Sequence, residues 1–136
     1  MIDATDWLKK RAELSPSKVA LIEEETGNTT TYKAWNQQCN QLANFLCKGF
    51  GVEQGDRVAI LSMNCTEYLD SWFACGKRGA ILQNLNWRLT ASELLQLVKD
   101  AEPKVVIYGP DFLEAIAVLQ EGLPSCEHWL ALDTKA

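Results

Sequence analysis

Several marks of chemistry are missing from this chain. Its 136 residues hold a single histidine, His128. It stands beside Trp129 with no nucleophile signature around it, so it reads as structural. No Ser sits in a Gly-x-Ser-x-Gly elbow. A phosphate-cradling loop needs G-x-x-x-x-G-K-[ST], and Gly76-Lys77-Arg78 lacks the upstream glycine. The five cysteines, at 39, 47, 65, 75 and 126, are odd in number and contain no C-x-x-C pair. That excludes the usual zinc and disulfide frameworks and leaves reduced thiols, several of them on apolar helix faces.

Other absences bound the class. There is no basic excess: 13 Lys and Arg against 18 Asp and Glu give a net charge of −5. A nucleic-acid footprint is therefore not expected, because it needs a cationic face to displace counterions. A local anion site stays open, since one Arg or a helix N-terminus can hold a phosphate against the global field. The opening Met1–Asp6 has neither a basic n-region nor an apolar h-region, so no secretory signal is expected. No apolar run approaches the ~20 residues that span a bilayer. Low-complexity segments and linkers are also missing, which predicts a single domain over 1–136.

What is present is a regular alternation. Asp6–Leu14 reads as a short helix stopped by Ser15-Pro16. Val19–Ile22 and Thr29–Thr31 read as a hairpin around Glu23–Asn28. Thr31 or a neighbour caps a helix whose face is Trp35, Cys39, Leu42, Ala43, Leu46 and Phe50, and Gly49 and Gly51 form its left-handed exit. From Gly55 onward, short apolar runs at Arg57–Leu61, Ala80–Leu82, Lys104–Tyr108 and His128–Leu132 recur about every 24 residues, room for one helical crossover each. Asn64 with Glu67 suggests a capping box for a helix with Cys65, Tyr68, Leu69, Trp72, Phe73 and Gly76 on one stripe. Thr90-Ala-Ser-Glu93 suggests another, with Ala91, Leu94, Leu95, Val98 and Ala101 behind it. Gly109-Pro110-Asp111 opens a last helix, with Phe112, Ala115, Ile116 and Leu119 inward. The expected fold class is α/β: a mainly parallel sheet with helices on its faces and a short N-terminal β-hairpin.

One basic residue stands out. Arg88 follows Asn84-Leu-Asn86 and Trp87 and precedes the Thr90 cap. Its loop leaves the carboxyl end of a strand, the edge where open α/β sheets bind ligands. There, near a helix N-terminus, an Arg can hold a phosphate. Equally, it can hydrogen-bond loop carbonyls or pair with Glu93.

Taken in order, these motifs resemble the adenylate-forming enzymes: acyl-CoA synthetases, AMP-dependent ligases, luciferases and peptide-synthetase adenylation domains. The resemblance rests on Pro16–Ile22, Thr31–Asn36, Gln41–Asn44, Gly55–Ile60, Asn64–Leu69, Phe73–Leu94 and Pro103–Ile107. The Asn86-x-Arg-Leu-Thr-x-x-Glu-Leu94 run is most similar to fatty-acid and aryl CoA ligases. It implies an incomplete N-terminal subdomain of a larger fold, the first part of a ligase's large domain. The implied reaction joins a carboxylic acid, in the first instance a fatty acid, to coenzyme A. The carboxylate attacks the α-phosphate of ATP, pyrophosphate leaves, and the CoA thiol displaces AMP from the acyl-adenylate.

ATP, Mg2+ and coenzyme A would serve the whole enzyme, with none expected to bind these 136 residues alone. The family's phosphate loop and catalytic Lys lie beyond the stretch resembled, so no catalytic or metal-ligating residue is assigned here and the stretch alone is expected to be inactive. By position, the Arg that contacts CoA phosphate in some of these ligases is Arg88. Trp87 stands where a small residue or proline is commoner. The resemblance implies a cytoplasmic protein with no transmembrane segment and the rest of the enzyme as its partner. Helix and sheet faces left bare would make the stretch self-associate. Two other readings remain open at this point: a self-sufficient flavodoxin-like binding module, and an adenylating enzyme with a different acyl acceptor.

Overall fold

Alternating apolar runs end up as neighbouring strands because each helix between them must bury its stripe on the sheet it has just left. The computed structural model describes residues 6–132. Helix α1 (Trp7–Leu14) is capped by Asp6, whose carboxylate accepts the Lys9 N–H. Strands β1 (Val19–Ile22) and β2 (Thr29–Thr31) form an antiparallel hairpin. Helix α2 (Tyr32–Phe50) starts at Thr31, whose hydroxyl accepts the Ala34 N–H. The alternating part follows: β3 (Arg57–Leu61), α3 (Thr66–Arg78), β4 (Ile81–Asn84), α4 (Ala91–Ala101), β5 (Val105–Tyr108), a 3₁₀ turn at Pro110–Phe112, α5 (Leu113–Gly122) and β6 (His128–Ala131).

The four later strands form one parallel sheet in the order β4-β3-β5-β6. Successive residues of β3 serve opposite faces, as strand geometry demands. Val58 and Ile60 pack with Ala43, Leu46, Ala74 and Cys75 of α2 and α3. Ala59 and Leu61 pack with Leu94, Val98, Ile116 and Leu119 of α4 and α5. A third cluster, Leu8, Trp35 and Cys39, ties α1 to α2. Helices α2 and α3 close on left-handed glycines, Gly51 (φ 66°) and Gly79 (φ 68°), conformations a Cβ would penalise.

Three expectations are corrected. Asn64 does not cap α3; the cap position is Cys65, which makes no side-chain cap bond. The helix starts one residue later than expected, so its third position is Tyr68 and the Asn64–Glu67 spacing misses the box by one. The buried stripe of α3 is also different. Leu69 and Trp72 are exposed, while Ser71, Ala74 and Cys75 face inward. Close approach to α2 and the sheet selects small residues there, turning the large side chains outward. Finally, the second sheet strand is not buried: β4 is an edge, running Ile81–Asn84, and Ile81 is exposed.

Candidate ligand edge of the sheet

The carboxyl ends of the strands carry three loops. After β3 the chain turns to α3 on one face; after β5 it turns to α5 on the other. The two strands are neighbours, so the winding reverses between them, and such a switch point is the usual ligand position in open α/β sheets. Ser62 and Gly109, both buried, directly follow β3 and β5 there. The Ser62 hydroxyl donates to the Met63 carbonyl at 2.9 Å. A Cβ on Gly109 would lie 3.2 Å from the Ser62 oxygen, so the two residues pack closely and the approach favours glycine. Motif reading missed this pair, because a switch point is defined by strand order and a single sequence does not display strand order.

Arg88 lies in the loop after β4, one strand away from that switch point. The loop is rigid for reasons written into its residues. Asn86 accepts the Arg88 N–H on its side chain and the Leu89 N–H on its carbonyl, both at 3.1 Å, a turn that Asn favours. Leu85 N–H reaches the Ile60 carbonyl at 3.0 Å, and Tyr68 donates its hydroxyl proton to Asn84 at 2.8 Å. The capping box at Thr90 is complete: the Glu93 carboxylate accepts the Thr90 N–H at 2.8 Å and the Thr90 hydroxyl accepts the Glu93 N–H at 3.3 Å. The Thr90 N–H, and next the Thr90 hydroxyl at 3.0 Å, hold the Glu93 carboxyl below its usual range.

The box changes the electrostatics expected of this end. Glu93 is itself the anion on the helix N-terminus, so Arg88 is the loop's cation for any phosphate. Glu93 is committed to Thr90, and among the described residues it makes no ion pair with Arg88. The Arg88 guanidinium instead lies over the Trp87 ring, 4.5 Å from its centroid, and both side chains are exposed. An exposed stack of this kind is worth about 0.5–1 kcal/mol. It fixes one guanidinium face and leaves the N–H edge toward solvent, where a phosphate would meet it.

The remaining candidates fall elsewhere. His128 stacks on Phe50 at 4.5 Å with an interplanar angle of 22°, a packing role. All five cysteines are free. Burial pushes the Cys39 and Cys75 thiols up to about 12, which makes them inert as nucleophiles. Among the described residues no helix is long and apolar enough to cross a membrane.

Comparison with known proteins gives the loop its context. Residues 8–134 match the family model described as AMP-binding enzyme. The chain is 43% identical over 114 residues to the 2-succinylbenzoate–CoA ligase of Oceanobacillus iheyensis, covering 84% of this chain and 23% of that one. It is 32% identical over 133 residues to the long-chain-fatty-acid–CoA ligase of Thermus thermophilus, covering 96% and 24%. A fatty acyl CoA synthetase structure from Mycobacterium tuberculosis superposes with a TM-score of 0.91 at 31% identity, over 97% of this chain and 27% of that one. The chain thus spans about a quarter of the length of the relatives it matches. With the order of strands, the capped helices and nearly every residue from Leu8 to the end of β6 inside the match, the chain belongs to the AMP-binding enzyme family.

Proposed function

We propose that this chain is the N-terminal part of the large domain of an ATP-dependent, AMP-forming CoA ligase. In the whole enzyme a carboxylate attacks the α-phosphate of ATP to give an acyl-adenylate and pyrophosphate. The CoA thiolate then adds to the acyl carbonyl and AMP leaves. The observation that carries this reading is the match of residues 8–134 to a family whose relatives of this chain are named as acyl- and aryl-CoA ligases. One relative is named for 2-succinylbenzoate and another for long-chain fatty acids; the Asn86–Leu94 run resembles fatty-acid and aryl ligases alike, and a fatty acid is the substrate proposed first.

Within this part, Arg88 is the proposed contact for a CoA phosphate, backed by Trp87 and held by the Asn86 turn. ATP, Mg2+ and the reactive groups belong to the rest of the enzyme, so the 136 residues alone are inactive. They act in the cytoplasm, where ATP and CoA are supplied. Separated from their enzyme they self-associate through exposed apolar side chains such as Leu69, Trp72 and Ile81. A clean monomer in sedimentation would overturn that last point.

The main test is a chimera in which this chain replaces the matching quarter of the Thermus thermophilus ligase. Acyl-CoA formation dependent on ATP and CoA is the expected result. Arg88→Ala should raise the KM for CoA about tenfold, the loss of one charge-assisted contact, and leave the KM for ATP unchanged. A soluble, folded chimera that makes no acyl-CoA overturns the ligase reading. An unchanged KM for CoA overturns the role of Arg88, and pyrophosphate release by the 136 residues alone overturns their inactivity.

A further inference from the structure

Away from the ligand edge, a groove of about 390 Å³ opens between α2 and α3 beside β6. Its floor is apolar, made by Leu42, Phe45, Leu130 and Leu132, and Phe45 is 46% exposed. Its wall is acidic, formed by Glu67 and Asp70, one turn apart on α3. Asp70 is half-buried. One of its oxygens accepts the Trp35 indole N–H at 2.8 Å and faces the Cys39 thiol at 3.8 Å. No cation reaches it among the described residues, whose two ion pairs are Lys77–Asp6 and Lys104–Asp56. A half-buried carboxylate without a cation beside an apolar floor is costly in isolation and favourable opposite a Lys or Arg. Among the described residues the flanking strand β6 pairs only with β5, so its outer edge offers backbone groups to an extended segment.

We propose that this groove seats an extended segment from the rest of the ligase chain, with an apolar side chain on Phe45 and Leu130 and a neighbouring Lys or Arg on Asp70. The chemistry of the occupant follows from the charge and polarity of the groove. Its source follows from the relatives, whose chains run to about four times the matched length. The inference rests on the ligase reading above and is tested apart from it.

Short overlapping peptides spanning the remaining three quarters of the Oceanobacillus iheyensis 2-succinylbenzoate–CoA ligase are arrayed and presented to the labelled 136-residue chain. Binding to peptides in which an apolar residue neighbours Lys or Arg is expected, with scrambled copies of the same composition left unbound. Asp70→Asn should weaken that binding by about tenfold or more. Gln38→Lys, at an exposed position on the same rim, should weaken it as well without disturbing the buried contacts of Asp70. Binding to no peptide, equal binding of scrambled copies, or indifference to both substitutions overturns the proposal. So does a dimer in sedimentation that Phe45→Lys dissolves, because the occupant would then be a second copy. An active chimera with no peptide bound would sink this inference and leave the ligase reading standing.

Discussion

The two faces of the sheet are built on different principles. Under α4 and α5 the core is closed and apolar: Ala59, Leu61, Leu94, Val98, Val106, Ile116 and Leu119 touch no buried charge. Under α2 and α3 the packing is closer and the residues smaller, with Ala43, Ala74 and Cys75 against Val58 and Ile60. That side also carries a buried ion pair and a half-buried carboxylate. Lys77 is almost fully buried, holding both Asp6 oxygens at 2.9 and 3.1 Å and the Asn36 side-chain Oδ1 at 2.6 Å. Asp70 sits between Trp35, Cys39 and the groove. The first face is stabilised by area, which any well-filled core supplies. The second also depends on Lys77 and Asp70 keeping their partners, and it keeps an open surface.

Substitutions should separate these regimes, and the largest effect belongs to the closed face. Leu119 is fully buried in it. Leu119→Ala removes three carbons from a packed interior and should cost about 3 kcal/mol in urea unfolding at constant slope. A loss near 1 kcal/mol would mean that this face relaxes as easily as the other, and the contrast would fail.

On the polar face the larger effect comes from orphaning a charge. Asp6→Ala strands Lys77 and removes the cap of α1 in one change. About 2–3 kcal/mol should be lost. Coupling Asp6→Ala with Lys77→Met sharpens the comparison. The double variant should recover part of the loss, since an apolar replacement of a buried pair is often neutral. An additive double variant would show the pair to be unimportant and the damage to be all in the cap.

Much of this contrast was legible in the sequence, and the rest was not, for physical reasons. The β3, β5 and β6 runs, the Thr31 and Thr90 caps and the Gly51 and Gly79 exits come from local chemistry, which a sequence states directly. Helix α3 misled because apolar size and burial usually coincide. Here Leu69 and Trp72 point out while Ser71, whose hydroxyl donates to the Glu67 carbonyl at 2.8 Å, faces in. Only the proximity of α2 decides that, and proximity is a tertiary fact. Arg88 could be proposed from sequence because its loop is contiguous. The Ser62–Gly109 switch point and the Asp70 groove join residues far apart in the chain and carry no contiguous signal.

Acidity offers a smaller test of the open face. Burial pushes the Asp70 carboxyl from 3.8 up to about 6, against hydrogen bonds from Trp35 and Cys39 that pull it down and Glu67 that adds to the rise. The folded chain therefore holds this proton more tightly than the unfolded chain. The resulting stabilisation is complete below about pH 4 and is lost as pH rises through about 6. Between those values wild type should lose on the order of 1 kcal/mol relative to Asp70→Asn, a figure reduced for the solvent that reaches the groove. Parallel stability curves for the two proteins would show that Asp70 is paired and well solvated, and the groove would lose its unmet charge.

The smallest expected effect compares the two helices that begin at the ligand edge. Helix α4 opens with Thr90 and Glu93 in a reciprocal box, while α3 opens at Cys65, whose sulfur lies 3.7 Å from the Ser62 oxygen and bonds no helix N–H. A thiol is a poor acceptor, so the first turn of α3 lacks the oxygen that Thr31 gives α2 and Thr90 gives α4. Cys65→Ser supplies that oxygen at nearly constant volume and should stabilise the chain by about 0.5 kcal/mol. Asn64→Ala, one residue earlier, should change nothing beyond error, since Asn64 is outside the helix. If Asn64→Ala costs about 1 kcal/mol instead, the cap is at residue 64 in solution and the boundary of α3 is the one its spacing first suggested.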